Sequence, residues 1–247
     1  MKTEISANRF VKNTEKPLKV INLSRINILF GKNGTGKSTF LRSVYNTQFN
    51  DFHLVVPERG GGNMVYHSNI FDQENKENER KNARATGWDG QYRERAISRT
   101  VAITQSVGYK TLKKVVQEEI DAASIEGLFN VFLPEINAKL SDTQPYAFEF
   151  YRENDGKFVK ISDTTKLSSG QVEALSLASD IVTQAVLWKG QKKCVLVDEP
   201  DAHLHLDLQN RFAIFLEEVS TKFDIQWRRS RQLYLGFITK KYRREDC

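Results

Sequence analysis

Gly31 to Thr39 spell GKNGTGKST, a glycine-rich turn that closes on a lysine and two hydroxyl side chains. Glycines at 31, 34 and 36 let the backbone curl so that successive N–H groups converge, a cradle for phosphate at the positive end of a following helix. The spacing is that of the phosphate loop G-x-x-x-x-G-K-[ST]. It places Lys37 to bridge a β- and a γ-phosphate and the Ser38 hydroxyl to ligate Mg²⁺, with Asn33, Thr35 and Thr39 completing the loop.

A second chemical segment is CVLVDEP, Cys194 to Pro200. Four apolar residues run into two carboxylates, so a buried strand is expected to deliver Asp198 to the carboxyl edge of a sheet, where open α/β folds bind ligands. Asp198 would hold Mg²⁺ through water, and Glu199 would polarise an attacking water. LSSGQ, Leu167 to Gln171, opens an apolar helical stretch. Read alone, it is either an ordinary helix N-cap or a second anion site made of free N–H groups and hydroxyls.

The elements that must position these residues follow from periodicity. TEISANRFV, LKVINL and RINILF read as strands, the last buried and central, and KSTFLRSVYNTQF reads as a helix. Residues 56 to 71 (VPERGGGNMVYHSNIF) look strand-like but broken by glycines, and a highly charged polar stretch follows them. From about Tyr92 to Leu140 the pattern is helical, with Pro134 forcing a break or a new start. YAFEFYRENDGKFVKIS is a hairpin turning at Asn154-Asp155-Gly156. LSSGQVEALSLASDIVTQAVLW is a helix, KKCVLVDEP a strand and its exit, and LDLQNRFAIFLEEVSTK an amphipathic helix.

With 247 residues, the chain can bury one large core or one core with an inserted lobe. No apolar run approaches the roughly 18 residues of a membrane span, and no secretory leader is visible, so a cytoplasmic, non-membrane protein is expected. Cys194 and Cys247 show no pairing pattern, in keeping with a reducing compartment. Of the net charge of +6, residues Trp227 to Cys247 supply five, as seven Arg and Lys against Glu245 and Asp246. The high pI therefore describes this tail more than the body.

Taken in order, GKNGTGKST, a long insert, LSSGQVEAL and VLVDEPDAHLH resemble the ATP-binding-cassette ATPases. Within them the chain is most similar to the soluble branch of RecF, structural-maintenance-of-chromosomes heads and OLD-type ATPases, on account of DEPDAHLHLDLQ. The resemblance implies an α/β P-loop NTPase fold with a β-rich N-terminal part. It also implies a mostly helical lobe inserted at about 75–142, within one domain spanning 1–226. It further implies ATP and Mg²⁺ as cofactors, and a homodimer or higher homo-oligomer formed through ATP. In such a dimer Ser168, Ser169, Gly170 and Gln171 would close over nucleotide held by the partner copy, and Asp201 would belong to the loop connecting the two sites. Gln73 is the candidate for the glutamine that senses Mg²⁺ and water, with Gln48 and Gln91 as rivals. His203 and His205 read as a structural turn rather than a metal site. Simple members of this type serve bacterial anti-phage defence beside a nuclease or toxin effector. The expected function is thus an ATP-hydrolysing head that drives or licenses a DNA-related or defence process; the alternative is an ATP-dependent scaffold or sensor with little hydrolysis.

The chain departs from the pattern after Gln226. Relatives continue there with an apolar strand ending in a switch histidine, whereas FDIQ is followed here by WRRSRQ, and no histidine follows His205. Three arginines in four residues argue against a buried central strand. LYLGFIT, residues 233–239, could form a substitute, and the basic 227–247 tail either binds DNA phosphates or simply stays solvated. The expectation is a truncated or frame-altered end, with ATP binding intact and turnover impaired.

Overall fold

The computed structural model describes residues 4–7, 18–30, 34–56, 68–86, 91–100, 122–140, 148–161, 167–188, 193–200, 204–224 and 226–231. Two short strands, β1 (Glu4–Ala7) and β2 (Leu18–Ile21), pair antiparallel. The central sheet contains β3 (Ile26–Phe30), β4 (Phe52–Val55), β8 (Cys194–Val197) and β9 (Gln226–Arg231), all parallel, in the order β3-β9-β8-β4. A third sheet orders β5 (Ile136–Leu140), β6 (Phe148–Asn154) and β7 (Lys157–Lys160) antiparallel. The helices are α1 (Lys37–Thr47), α2 (Ser68–Asn75), α3 (Glu77–Thr86), α4 (residues 92–100), α5 (Ala122–Phe132), α6 (Ser169–Leu187) and α7 (Leu206–Phe223).

Period-two alternation in the central strands decides which layer each residue joins. Cys194 and Leu196 of β8, with Phe52 and Leu54 of β4, pack on Phe40, Leu41, Val44 and Tyr45 of α1 and on Ile5 and Ala7 of β1. Val195, Val197 and Val55 face the other way, into the larger core built by α5, α6 and α7. A parallel strand covered on both faces must be apolar throughout, as CVLV is. On the larger side Phe132 of α5 stacks against Phe212 and Phe215 of α7, with centroids 5.2 and 5.3 Å away.

Three expectations from the sequence are corrected. Ser68–Phe71 is not strand but the first half of α2, because Ile70 and Glu74, one helical turn apart, are both buried. Ile136–Leu140 is not helical: Pro134 stops the preceding helix, and Ile136 and Ala138 then alternate inward while β5 pairs with β6. Residues 227–231 were expected to stay out of a central strand because of their arginines, yet they form most of β9, with Ile26↔Trp227 through Phe30↔Arg231 on one side and Val195↔Trp227 on the other. Here the backbone decides. Without β9, facing edges of β3 and β8 would leave two rows of N–H and C=O groups unpaired inside the molecule. The segment 233–239 lies outside the described residues.

Candidate functional site

Because the four central strands are parallel, their carboxyl ends share one edge, and two of the chemical segments emerge there. Past β3, Gly34 and Gly36 have φ of 78° and 84°, the left-handed conformation that a glycine adopts without strain. Gly36 is the N-cap of α1, which has no side-chain cap and no acidic residue in its first turn. The first intrahelical bond runs from Phe40 N–H to Gly36 C=O at 2.8 Å, so the amides of Lys37, Ser38 and Thr39 point beyond the helix end. A helix start lacking its own anion is suited to receive one from outside. By contrast, α7 satisfies itself, with His205 Nδ1 accepting from Leu208 N–H and Asp207 in its first turn. Gly31 and Asn33, which belong to the same loop, lie outside the described residues.

Past β8, the Asp198 N–H donates to the Val55 carbonyl at 2.9 Å, which extends the β4–β8 ladder by one bond and fixes the carboxylate at the edge. Its Oδ1 accepts a 3.0 Å hydrogen bond from Ser38 Oγ. The structure therefore brings the loop and the acidic strand end together. Glu199, the next residue, has φ 47°. The other described non-glycine residues with positive φ are Asn22, Asp155 and Asp224, types that tolerate this region; Glu199 is the exception, held in a strained turn. Asp201 and His203 lie outside the described residues, while His205 is the N-cap of α7.

LSSGQ forms the start of α6 as a capping box: Ser168 Oγ accepts from the Gln171 N–H at 3.3 Å, and Gln171 Oε1 accepts from the Ser168 N–H at 3.1 Å. Ser169 and Gly170 lie between them in the first turn, whose amides have no intrahelical acceptor. The Gln171 side chain also receives Arg152 of β6 at 3.1 Å and donates to Glu135 at 3.3 Å. Of the three glutamines considered, Gln73 lies in α2 with its Oε1 accepting from Arg95 at 3.2 Å, Gln48 caps the C-terminus of α1, and Gln91 precedes the 92–100 helix.

A second polar group, not anticipated from sequence, lies behind this edge. Asp180, fully buried in the middle of α6, receives both terminal nitrogens of Arg84 at 3.0 Å, together with Arg99. Arg84 also donates to the Leu54 carbonyl at 2.9 Å and to Glu74 at 3.1 Å, and Arg95 donates to Glu74 at 3.2 Å. The cluster joins β4, α2, α3, α4 and α6. Burial would raise the Asp180 pKa, but the charges of Arg84 and Arg99, with the hydrogen bond from His53, hold it well below the usual carboxylate range. His53 Nε2 lies 3.1 Å from Asp180 Oδ1. Burial and then Arg84 push its pKa well below 6.5, so the ring is neutral and the contact is a hydrogen bond rather than an ion pair. The signal in the sequence was Asp180 itself, a lone acid within LSLASDIV.

A parallel sheet with an anion-ready helix start and an acidic strand end meeting at one edge is the α/β P-loop NTPase fold. Comparison with solved structures agrees with this fold. The chain is similar to an Smc head bound to the C-terminal winged-helix domain of ScpA, with TM-score 0.54 and 16% identity over 94% of this chain and 89% of that one. A structural-maintenance-of-chromosomes head domain from Thermotoga maritima gives 0.49 and 14% over the same shares, 94% and 89%. The first likeness carries the shared α/β fold. No family model matches the sequence, and no curated protein matches it either. Among the described residues no helix is long and apolar enough to cross a membrane.

Proposed function

We propose that this chain is an ATP-hydrolysing head that dimerises on its nucleotide, each ATP lying between the phosphate loop of one copy and the Ser168–Gln171 turn of the other. The hydrogen bond from Ser38 Oγ to Asp198 Oδ1 carries this reading, because it joins the two oxygen donors that a phosphate-bound Mg²⁺ requires. A hydroxyl and a carboxylate are the hard ligands Mg²⁺ prefers. Among the described residues no group of three or more His, Cys, Asp or Glu holds a metal by itself, so the remaining ligands would be phosphate oxygens and water. Bound there, Mg²⁺ would neutralise charge on the β- and γ-phosphate oxygens.

The residues divide the work. Lys37 and the amides of the α1 first turn bind phosphate, and Ser38 and Asp198 hold the metal. Glu199 orients water and accepts its proton as the water oxygen bonds to the γ-phosphorus and the bond to the β,γ-bridging oxygen breaks, releasing ADP. Ser168 and Gly170 approach the γ-phosphate held by the partner copy, and on the resemblance Asp201 would belong to the loop that connects the two sites. The process served is DNA-related or an anti-phage defence step, with a nuclease or toxin effector as partner and DNA as a further one. That part rests on the resemblance carried by DEPDAHLHLDLQ. The second reading is a nucleotide-gated scaffold with little turnover, and it rests on the charged WRRSR at 227–231, where the resemblance implies an apolar strand.

Sedimentation with ATP and Mg²⁺ tests the proposal. Glu199→Gln should convert monomer to a lasting dimer, and Lys37→Ala should abolish it. Unchanged sedimentation of Glu199→Gln with and without ATP would overturn the dimer. Turnover by the unsubstituted protein separates the first reading from the second.

A further inference from the structure

The Gln171 side chain completes the capping box with its oxygen, yet its nitrogen is engaged as well, and by a residue from another part of the fold. Nε2 donates to Glu135 Oε1 at 3.3 Å, while Arg152 donates to Oε1 at 3.1 Å, so the amide is gripped at both ends. Glu135 stands in the turn between α5 and β5, just after Pro134. Its second oxygen pairs with Arg211 of α7 at 3.5 Å, and Arg211 in turn pairs with Asp207 at 2.9 Å. Asp207 lies in the first turn of α7, the helix that follows the acidic end of β8.

These contacts are poorly placed to stabilise the fold. Glu135 is 43% exposed, Arg211 32% and Asp207 62%, and ion pairs this wet contribute little. What they do is orient. The Ser168–Gln171 turn could rotate about the α6 start if Gln171 were held by the box alone; Glu135 and Arg152 remove that freedom.

We infer that Glu135 is a positioning residue for the partner-facing anion site. It fixes the Gln171 amide, and with it the first turn of α6, relative to α7 of the same copy, so the turn presented to the partner's nucleotide is set by the helix behind this copy's own acidic strand end. The inference rests on the dimer proposed above.

Gln171→Glu isolates the contact. Glutamate at this position keeps the capping box and the Arg152 bond, since both use an oxygen, but turns a carboxylate toward Glu135. In the Glu199→Gln background it should weaken the ATP-dependent dimer about tenfold, the loss of one hydrogen bond to a charged group. Adding Glu135→Gln restores a donor–acceptor pair with the roles exchanged and should recover most of the loss. Arg211→Ala should weaken the dimer in the parent but not in this double variant, where residue 135 carries no charge. Binding of a fluorescent ATP analogue to the monomer and the melting temperature should stay unchanged throughout. A dimer as tight in Gln171→Glu as in its parent, or no recovery in the double variant, overturns the inference. Failure of the Glu199→Gln parent itself to dimerise overturns the proposed function, and this inference with it.

Discussion

Ser38 and Asp198, 160 positions apart in sequence, meet in one 3.0 Å hydrogen bond at the edge of the central sheet. The hydroxyl belongs to the first turn of α1 and the carboxylate to the exit of β8, so the bond measures whether the two chemical segments are seated together. Asp198→Asn keeps the shape and an acceptor oxygen but removes the charge. We expect Mg²⁺-dependent ATP turnover to fall by roughly 10²–10³, with the melting temperature nearly unmoved, as a coupled phosphate-release assay and thermal scans would register. Turnover within a few-fold of the parent would mean that this carboxylate does not serve the metal.

Glu199 offers a test of stored strain. Its φ of 47° is uncomfortable for a side chain that lacks the short polar group of Asn or Asp. Glu199→Gly should therefore raise the stability by up to about 1 kcal/mol in urea unfolding, against the usual destabilising effect of glycine, while abolishing turnover. A loss of stability would show that the turn is not strained.

The buried charges behind the site predict the opposite behaviour. Asp180→Ala strips Arg84 and Arg99 of their shared carboxylate in a place without solvent. Leaving such charges uncompensated costs about 3–5 kcal/mol, enough to threaten folding of a marginally stable domain. Asp180→Asn, which keeps acceptor capacity at one oxygen, should lose less. Equal stability of Asp180→Ala and the parent by chemical unfolding would remove the cluster from any structural role.

His53 sets a pH window. Its pKa in the folded protein is well below the ordinary 6.5, chiefly through burial and the nearby Arg84. Above pH 6.5 the ring is neutral in both states and contributes no pH dependence. As pH falls below 6.5 the unfolded chain takes up a proton that the folded one refuses, so stability declines with a slope of at most about 1.4 kcal/mol per pH unit. Asp180 adds its own decline only below the ordinary carboxylate range, because its pKa is depressed too. His53→Gln should flatten the stability profile between about pH 6.5 and 5; an unaltered slope there would mean that the ring titrates normally.

Short-range patterns made much of this molecule legible before folding. The loop before α1, the all-apolar β8 and the box at Ser168 each announce themselves within nine residues of sequence, because local geometry dictates their composition. The Asp198–Ser38 contact was legible for the same reason, being the meeting of two such segments. What escaped depends on partners distant in sequence. Ile136–Leu140 is too short for its period to be distinguished from helix, and only pairing with β6 decides it. Arg84 sits in the charged polar stretch and Arg95 and Arg99 at the start of the region read as helical, and their burial follows only once Glu74 and Asp180 converge on them. In β9 the side-chain pattern argued for a break, but the need to pair two neighbouring strands prevailed.

The position of β9 has a consequence for biogenesis. Of the four strands of its sheet it comes latest in the sequence, yet it is not added at the margin; it enters between β3 and β8, which touch only through it. A nascent chain that has emerged as far as α7 already carries the phosphate loop, the α6 cap and the acidic exit of β8, and α1 can pack on β8 and β4, but no backbone ladder yet joins β3 to β8. Contacts spanning nearly the whole chain are slow to form. The parallel ladder that ties β3 to β8 is therefore completed last, and the edge that carries Ser38 and Asp198 reaches its final geometry only when residues 226–231 have paired.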